Sequence, residues 1–301
     1  MICGVKLLVF GEDNLKKLRD SKLLDFKPYK NGQKAVFNGL HFYLYLNLCK
    51  IDGSMHKFKN GGKHNADNFT LPEFSEVIYD LSETFEIDFY LAKFCHLEFG
   101  FNIKLPFPVV KFLASIILYR GKITKYPSHE KYGIRFEFAE YDIKLYNKSD
   151  QCKYADENIL RIEIVIKKMR RFHQKIANIS TLGDLASFKV WHDFVWELLL
   201  QYDALVFLGC DTDIIELRKD GKITDAEAKL LIDGQKPYFL NDKNRMKRKQ
   251  NFDEFKRLID THSSSEMKDF VRTFLIRTLF VFKLEVSRQR KQSKERRKSV
   301  E

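Results

Sequence analysis

No CxxC pair, glycine-rich phosphate loop, GxSxG elbow, kinase-type signature or internal repeat stands anywhere in the 301 residues. These absences argue against a zinc knuckle, an ATP-driven enzyme and an acyl-transfer enzyme. Five cysteines (Cys3, Cys49, Cys95, Cys152, Cys210) are odd in number and scattered, which argues against a disulfide scaffold and for a reducing compartment. Long uninterrupted apolar runs are missing as well. The run near residues 2–10 is too short for the core of a signal peptide and reads as a first strand, while Arg272, Arg277 and Lys283 interrupt the run over 270–286. No membrane span is expected, and the expected location is the cytoplasm. Acidic residues are in deficit: 53 Lys and Arg against 41 Asp and Glu leave a formal net charge of +12. That balance favours a polyanionic partner, with nucleic acid ahead of a membrane surface. What is abundant is core material, with 44% hydrophobic and 14% aromatic residues, so the chain folds.

The organising stretch is 141–168, YDIKLYNKSDQCKYADENILRIEIVIKK, two alternating segments joined by a polar loop that includes Asp150 and Asp156. The pattern predicts a β-hairpin. Asp142, Lys144, Tyr146 and Lys148 fall on one face of the first segment, against Ile143 and Leu145 on the other. In the second, Arg161, Glu163 and Lys167 share a face, and Leu160, Ile162, Ile164 and Ile166 form the core set. So ionisable a face is costly to bury, so it is expected to meet solvent or an anionic partner, and both readings stand.

Residues 3–10 read as a strand and 11–34 as charged loop with a short helix near 14–24. The alternation over 39–51 predicts one strand, with His41, Tyr43, Tyr45 and Asn47 on its polar face. The Gly-, Asn-, His- and Lys-rich 52–69 reads as a mobile basic loop in which His56 and His64 can bind metal or phosphate or, as the commoner case, are solvated. Thr70 is a helix cap ahead of apolar positions Phe74, Val77, Ile78, Leu81 and Phe85 at helical spacing. The strand over 93–105 places Cys95, Leu97, Phe99, Phe101 and Ile103 on one face and His96, Glu98, Gly100 and Asn102 on the other. His96 and Glu98 point the same way; they can reach one divalent cation, or be a hydrogen-bonded histidine and a surface carboxylate. A helix is expected over 109–121, closed by Gly121, then a basic loop over 122–131 and a strand over 133–139. The whole predicts an α+β fold, an antiparallel sheet covered by helices on one face, followed by a helical C-terminal region. The divisions are 1–178, 179–287 and a basic tail over 288–301. A two-helix unit is expected within 211–235, with Thr224 and Glu227 at the cap positions.

The segments IKLYNKSDQ and ILRIEIVIKKMRRF resemble the paired signature of the replication initiation factor family, which includes rolling-circle plasmid initiators, transposon relaxases and phage replication proteins. In that family a strand of the type R-x-Y-[DN]-K is followed by one of the type R-x-E-[IV], and HLEFGFNI resembles its earlier acidic strand. The resemblance covers roughly 37–172 and departs from the related nicking enzymes in lacking a histidine-hydrophobic-histidine pair. It implies a sheet of the nicking-endonuclease type and a DNA nicking and joining activity that starts replication. By the same resemblance Tyr146 is the nucleophile with Lys148 beside it. Glu98 and Glu163 are metal-binding carboxylates with His96 as a third ligand, and the cofactor is Mg²⁺ or Mn²⁺. Lys144, Arg161, Lys167, Lys168, Arg170 and Arg171 are then the DNA contacts. The implied partners are single-stranded or extruded origin DNA, a host helicase and a second copy of the chain. Outside that family, the same residues are read as a metal-dependent nuclease using water, or as a non-catalytic DNA-binding sheet.

Overall fold

Alternation of apolar and polar residues builds most of the molecule. The computed structural model describes residues 2–123, 132–153, 157–170, 179–209, 211–236 and 244–298. Its strands, in chain order, are β1 (Ile2–Val9), β2 (Lys27–Tyr29), β3 (Gly32–Phe37), β4 (Leu40–Leu44), β5 (Cys49–Gly53), β6 (Lys93–Lys104), β7 (Ile116–Tyr119), β8 (Lys122–Ile123), β9 (Gly133–Glu137), β10 (Tyr141–Asn147), β11 (Ile159–Ile166) and β12 (Leu205–Phe207). Nine of them form one antiparallel sheet in the order β2-β3-β4-β5-β1-β6-β11-β10-β9. Lys144 stands opposite Glu163 and Tyr146 opposite Arg161, so the predicted hairpin forms and its ionisable residues share a face.

Helices cover the other face. Leu97, Phe99, Leu145, Ile162 and Ile164 point into a core shared with the helix Leu71–Phe85, the helix Phe188–Asp203 and the long helix Glu266–Lys298. Phe99 stacks on Phe194 at 4.5 Å, Phe74 meets Trp191 at 6.1 Å, and Val271 and Leu275 are fully buried. Thr70 and Glu73 close a capping box at the start of the first of these helices, satisfying otherwise orphaned backbone N–H groups. The architecture is α+β, as the alternation predicts.

Several local expectations change, beginning with 11–34, whose later part holds β2 and the start of β3. The stretch 39–51 is two strands, β4 and β5, joined by a turn in which the Tyr45 amide donates to the Leu48 carbonyl at 2.9 Å. The helix expected over 109–121 stops at Ser115, and Ile116–Tyr119 is a strand. Ile116 and Ile117 are β-branched and favour extended backbone, and β7 pairs with β12, far along the chain, in a second sheet of order β12-β7-β8. Cys95 is exposed rather than in the core, because the β1–β6 register shifts between the pairs Lys6–His96 and Leu7–Phe94 and leaves Cys95 as the extra residue. Beside the second sheet, the helices Asp225–Asp233 and Arg245–His262 bury Leu231, Phe255 and Leu258 against Leu118 and Val206. Among the described residues no helix is long and apolar enough to cross a membrane.

Candidate functional site

A cavity of about 570 Å³ opens on the polar face of the large sheet. Of the residues singled out in the sequence, His96, Glu98, Lys144, Tyr146, Arg161, Glu163 and Lys167 line it. Three strands deliver them: β6, β11 and β10 lie side by side, and alternation turns these side chains to one face. The strands meet there because glycines make room. Gly4 on β1 faces Glu98, Gly100 on β6 faces Glu163, and Gly133 on β9 faces Tyr146. A Cβ on Gly100 would collide with the Ile162 carbonyl and the Glu163 Cβ, and one on Gly133 with the Tyr146 Cβ. Glycine inside a strand marks such a close approach.

The charges alternate across the strands. Arg161 Nε donates to Glu163 Oε2 at 2.8 Å; Lys144 Nζ lies 3.5 Å from Glu163 Oε1 and 3.5 Å from Glu98 Oε1; His96 Nε2 lies 3.4 Å from Glu98 Oε1. Burial pushes the Glu98 carboxyl up, but the hydrogen bond from His96 and the charge of Lys144 outweigh it and hold the group well below the usual carboxylate range. At the β9 side, Arg135 and Lys167 clamp Asp142, each at 2.5 Å. Lys6 and Lys57 add two further cations to the lining. Among the described residues, no group of three or more His, Cys, Asp or Glu side chains is placed to hold a metal ion. Glu98 and Glu163 do converge on one point, and the Lys144 ammonium occupies it.

The expectation that this whole face meets solvent or an anionic partner is corrected in part: Asp142, Arg161 and Glu163 are buried. Ion pairs answer their charges, and the segment 54–69 lies over the β11 part of the face. Arg161 Nη1 donates to the Asn65 carbonyl at 3.2 Å and to Asn102 Oδ1 at 3.0 Å, and Asn102 Nδ2 donates to the Ala66 carbonyl at 2.8 Å. The segment is therefore not a loose basic loop. Ser54 caps a helix, Met55–Lys59, by accepting from the Lys57 amide. His56 is fully buried, stacked on Phe69 at 4.8 Å, with Nε2 2.6 Å from Asp67 Oδ1. Burial pushes the His56 ring down to about 4 against the pull of Asp67, so Nε2–H donates and the ring is neutral. His64 is partly exposed, its Nδ1 3.6 Å from the same carboxylate.

Lys148 does not continue the strand. Asn147 accepts from the Asp150 amide and starts the helix Lys148–Cys152, so Lys148 turns inward, 2% exposed. Its Nζ donates to Asn65 Oδ1 at 2.6 Å and Gln151 Oε1 at 2.7 Å, and lies 5.9 Å from the Tyr146 ring centroid. Burial and the nearby Arg161 push its pKa down. The lysine thus ties the covering segment to the tyrosine strand. Lys168 and Arg170 lie past the end of β11, outside the cavity lining; Arg170 pairs with Glu140 at 2.6 Å. Arg171 and the hairpin-loop Asp156 lie outside the described residues. Sequence reasoning missed Lys6, Lys57, Asn65 and Arg135. Arg135 could have been found by extending the face alternation one strand further; Asn65 could not, because it reaches the site through a fold-back of irregular chain.

No family model matches the chain, and no curated protein matches it. Among solved structures, the rolling circle replication initiator protein from Geobacillus stearothermophilus is similar, with 18% identity over 72% of this chain and 90% of that chain and a TM-score of 0.43. A likeness at that level assigns no chemistry, so what this cavity can do is set by its own side chains.

Proposed function

We propose that the protein is a DNA nicking and joining enzyme that initiates rolling-circle replication, acting on single-stranded or extruded origin DNA in the cytoplasm. The observation that carries the reading is the cavity itself: Tyr146, with a hydroxyl that can attack phosphorus, stands in one concave, predominantly cationic site with Lys144, Arg161, Lys6, Lys57 and Lys167. A phosphodiester is the substrate such a lining suits. A phenol, with an ordinary pKa near ~10, is a weak nucleophile at neutral pH and gains from adjacent positive charge that stabilises the phenolate.

In the proposed step a Tyr146 Oη–P bond forms and the P–O3′ bond breaks. The phenolic proton is lost to solvent, and the departing 3′ oxygen takes up a proton from it. The products are a 5′-phosphotyrosine and a free 3′ hydroxyl, which can prime synthesis. Lys144, held between Glu98 and Glu163, faces the phosphoryl oxygens, while buried Arg161 fixes Glu163 and the covering segment at Asn65. The Mg²⁺ or Mn²⁺ implied by the family resemblance lacks a three-ligand group among the described residues.

The test is incubation of the purified chain with labelled origin-bearing single-stranded DNA, with Mn²⁺ and with chelator, followed by a denaturing gel. A labelled protein band in the wild type that is absent in Tyr146→Phe is the expected result. A covalent adduct that persists in Tyr146→Phe overturns the assignment of the nucleophile. Cleavage without any adduct points to a nuclease that uses water.

A further inference from the structure

Beyond the cavity, the half of the polar face on β2–β5 carries groups that the nicking chemistry does not use. Tyr29 and Tyr43 hold their ring centroids 5.4 Å apart, and His41 lies 6.4 Å from Tyr43 with its ring inclined by 23°. Three lysines interleave with them. Lys34 Nζ sits 5.6 Å from the Tyr29 ring and 5.4 Å from the Tyr43 ring, Lys30 is 5.4 Å from Tyr29, and Lys50 is 5.7 Å from Tyr43. Register explains the cluster: Lys34 is paired with Tyr43, and Tyr43 with Lys50, so all three share a face. The rings are only part-buried, and His41 Nδ1 has no hydrogen-bond partner among the described residues.

Exposed cation–π pairs are worth only about 0.5–1 kcal/mol each, so stability gives little reason to gather three lysines around two tyrosines. Alternating flat rings and flexible cations are, however, what a single strand of nucleic acid requires. Bases stack on the rings, and lysines swing from ring to phosphate. Asp52, the nearby carboxylate, is matched by Lys6 at 3.3 Å and by Lys50 at 3.9 Å. The patch also runs into the cavity, because His41 and Lys6 line it. From β4 across β5, β1, β6 and β11 to β10 the track is about 24 Å at the usual strand spacing.

We propose that Tyr29, Tyr43 and His41 form a base-stacking platform for single-stranded DNA, with Lys30, Lys34 and Lys50 on its phosphates, leading the strand toward Tyr146. The proposal rests on the nicking reading only in taking DNA as the substrate.

The experiment is fluorescence anisotropy of a labelled oligothymidylate of about 16 nucleotides with the full chain at low salt. Tyr43→Ala is expected to raise Kd by about 5- to 150-fold, while Tyr43→Phe, which keeps the ring, stays near wild type. Lys34→Gln is expected to reduce the slope of log Kd against log salt by about 0.7, one phosphate contact. Duplex DNA of the same length is expected to bind without dependence on Tyr43. Equal oligothymidylate affinity in wild type and Tyr43→Ala overturns the platform, as does a wild type that does not bind it. An equal loss on single strand and duplex overturns it too. If circular dichroism shows that Tyr43→Ala does not fold, Tyr29→Ala at the sheet edge carries the same expectations. The two proposals fail separately. A wild type that forms no adduct leaves these affinities standing, and a Tyr146-dependent adduct alongside Tyr43-independent binding leaves the nicking reading standing.

Discussion

Acid should weaken this protein in a defined window, through one histidine. His56 has no exposed surface, its Nε2–H donates to Asp67 and its Nδ1 has no hydrogen-bond partner among the described residues. A proton added at Nδ1 would charge a ring whose burial costs more than Asp67 returns, and burial accordingly pushes the ring down to about 4 from the ordinary 6.5. The unfolded chain takes up that proton near pH 6.5 and the folded chain does not, so stability is complete above about 6.5 and falls as pH drops toward 4. The full loss is about 3 kcal/mol, of which roughly 2.5 kcal/mol is reached at pH 4.5. Asp67 pulls in the same direction. Burial pushes its carboxyl up, but His56 and the Asn60 hydrogen bond outweigh that and hold it low, so its contribution is also lost on acidification. Because Asp67 is held low it stays ionised at pH 4.5 and its share is lost only below that, so His56→Leu, which keeps the packing on Phe69 but cannot titrate, isolates the histidine between pH 7.5 and 4.5. Urea unfolding at pH 7.5 and 4.5 should show a loss in wild type larger by roughly 2.5 kcal/mol than in the variant. Equal losses in the two proteins, or a His56 ring that titrates near 6.5 by NMR, would refute the reasoning.

Two further perturbations probe the sheet. Glu163→Gln leaves buried Arg161 without its carboxylate and should lower stability by about 3–5 kcal/mol, whereas the double change Arg161→Met with Glu163→Leu should cost far less; urea midpoints compare them. Gly100→Ala forces a methyl group against the Ile162 carbonyl and the Glu163 Cβ, so it should destabilise by about 1–3 kcal/mol or more, and an unchanged melting temperature would count against the close approach described.

Where the chain alternates strictly, its sequence discloses both the strand and the chemistry on it. Glu98, Asn102, Lys144, Tyr146, Arg161 and Glu163 take the predicted face because each sits an even number of residues from its neighbours on a regular ladder. Irregular or bending stretches conceal more. Segment 54–69 has the composition of a solvated loop, yet Met55, Phe58 and Phe69 are buried, and its fold-back is fixed where the carbonyls of Asn65 and Ala66 accept from Arg161 and Asn102, contacts distant in sequence. Lys148 was hidden by the change from strand to helix at Asn147, although Asn147 with Asp150 three residues on is a readable cap. Cys95 was hidden by a one-residue slip that alternation cannot register.

The place of β1 has a kinetic consequence. This strand lies mid-sheet, between β5 and β6, and carries the ladder that joins β2–β5 to β6, β11, β10 and β9. Val5 must find both Gly53 and Leu97, and β6 must then find β11, before either flank is held. Loop closure over such separations precedes any reward in contacts, which places the barrier late and the folding on the slow side of the usual range. Until that seam closes, the β2–β5 meander and the β9–β11 strands each present a bare edge, so dilute, cool refolding should recover more protein than concentrated refolding does.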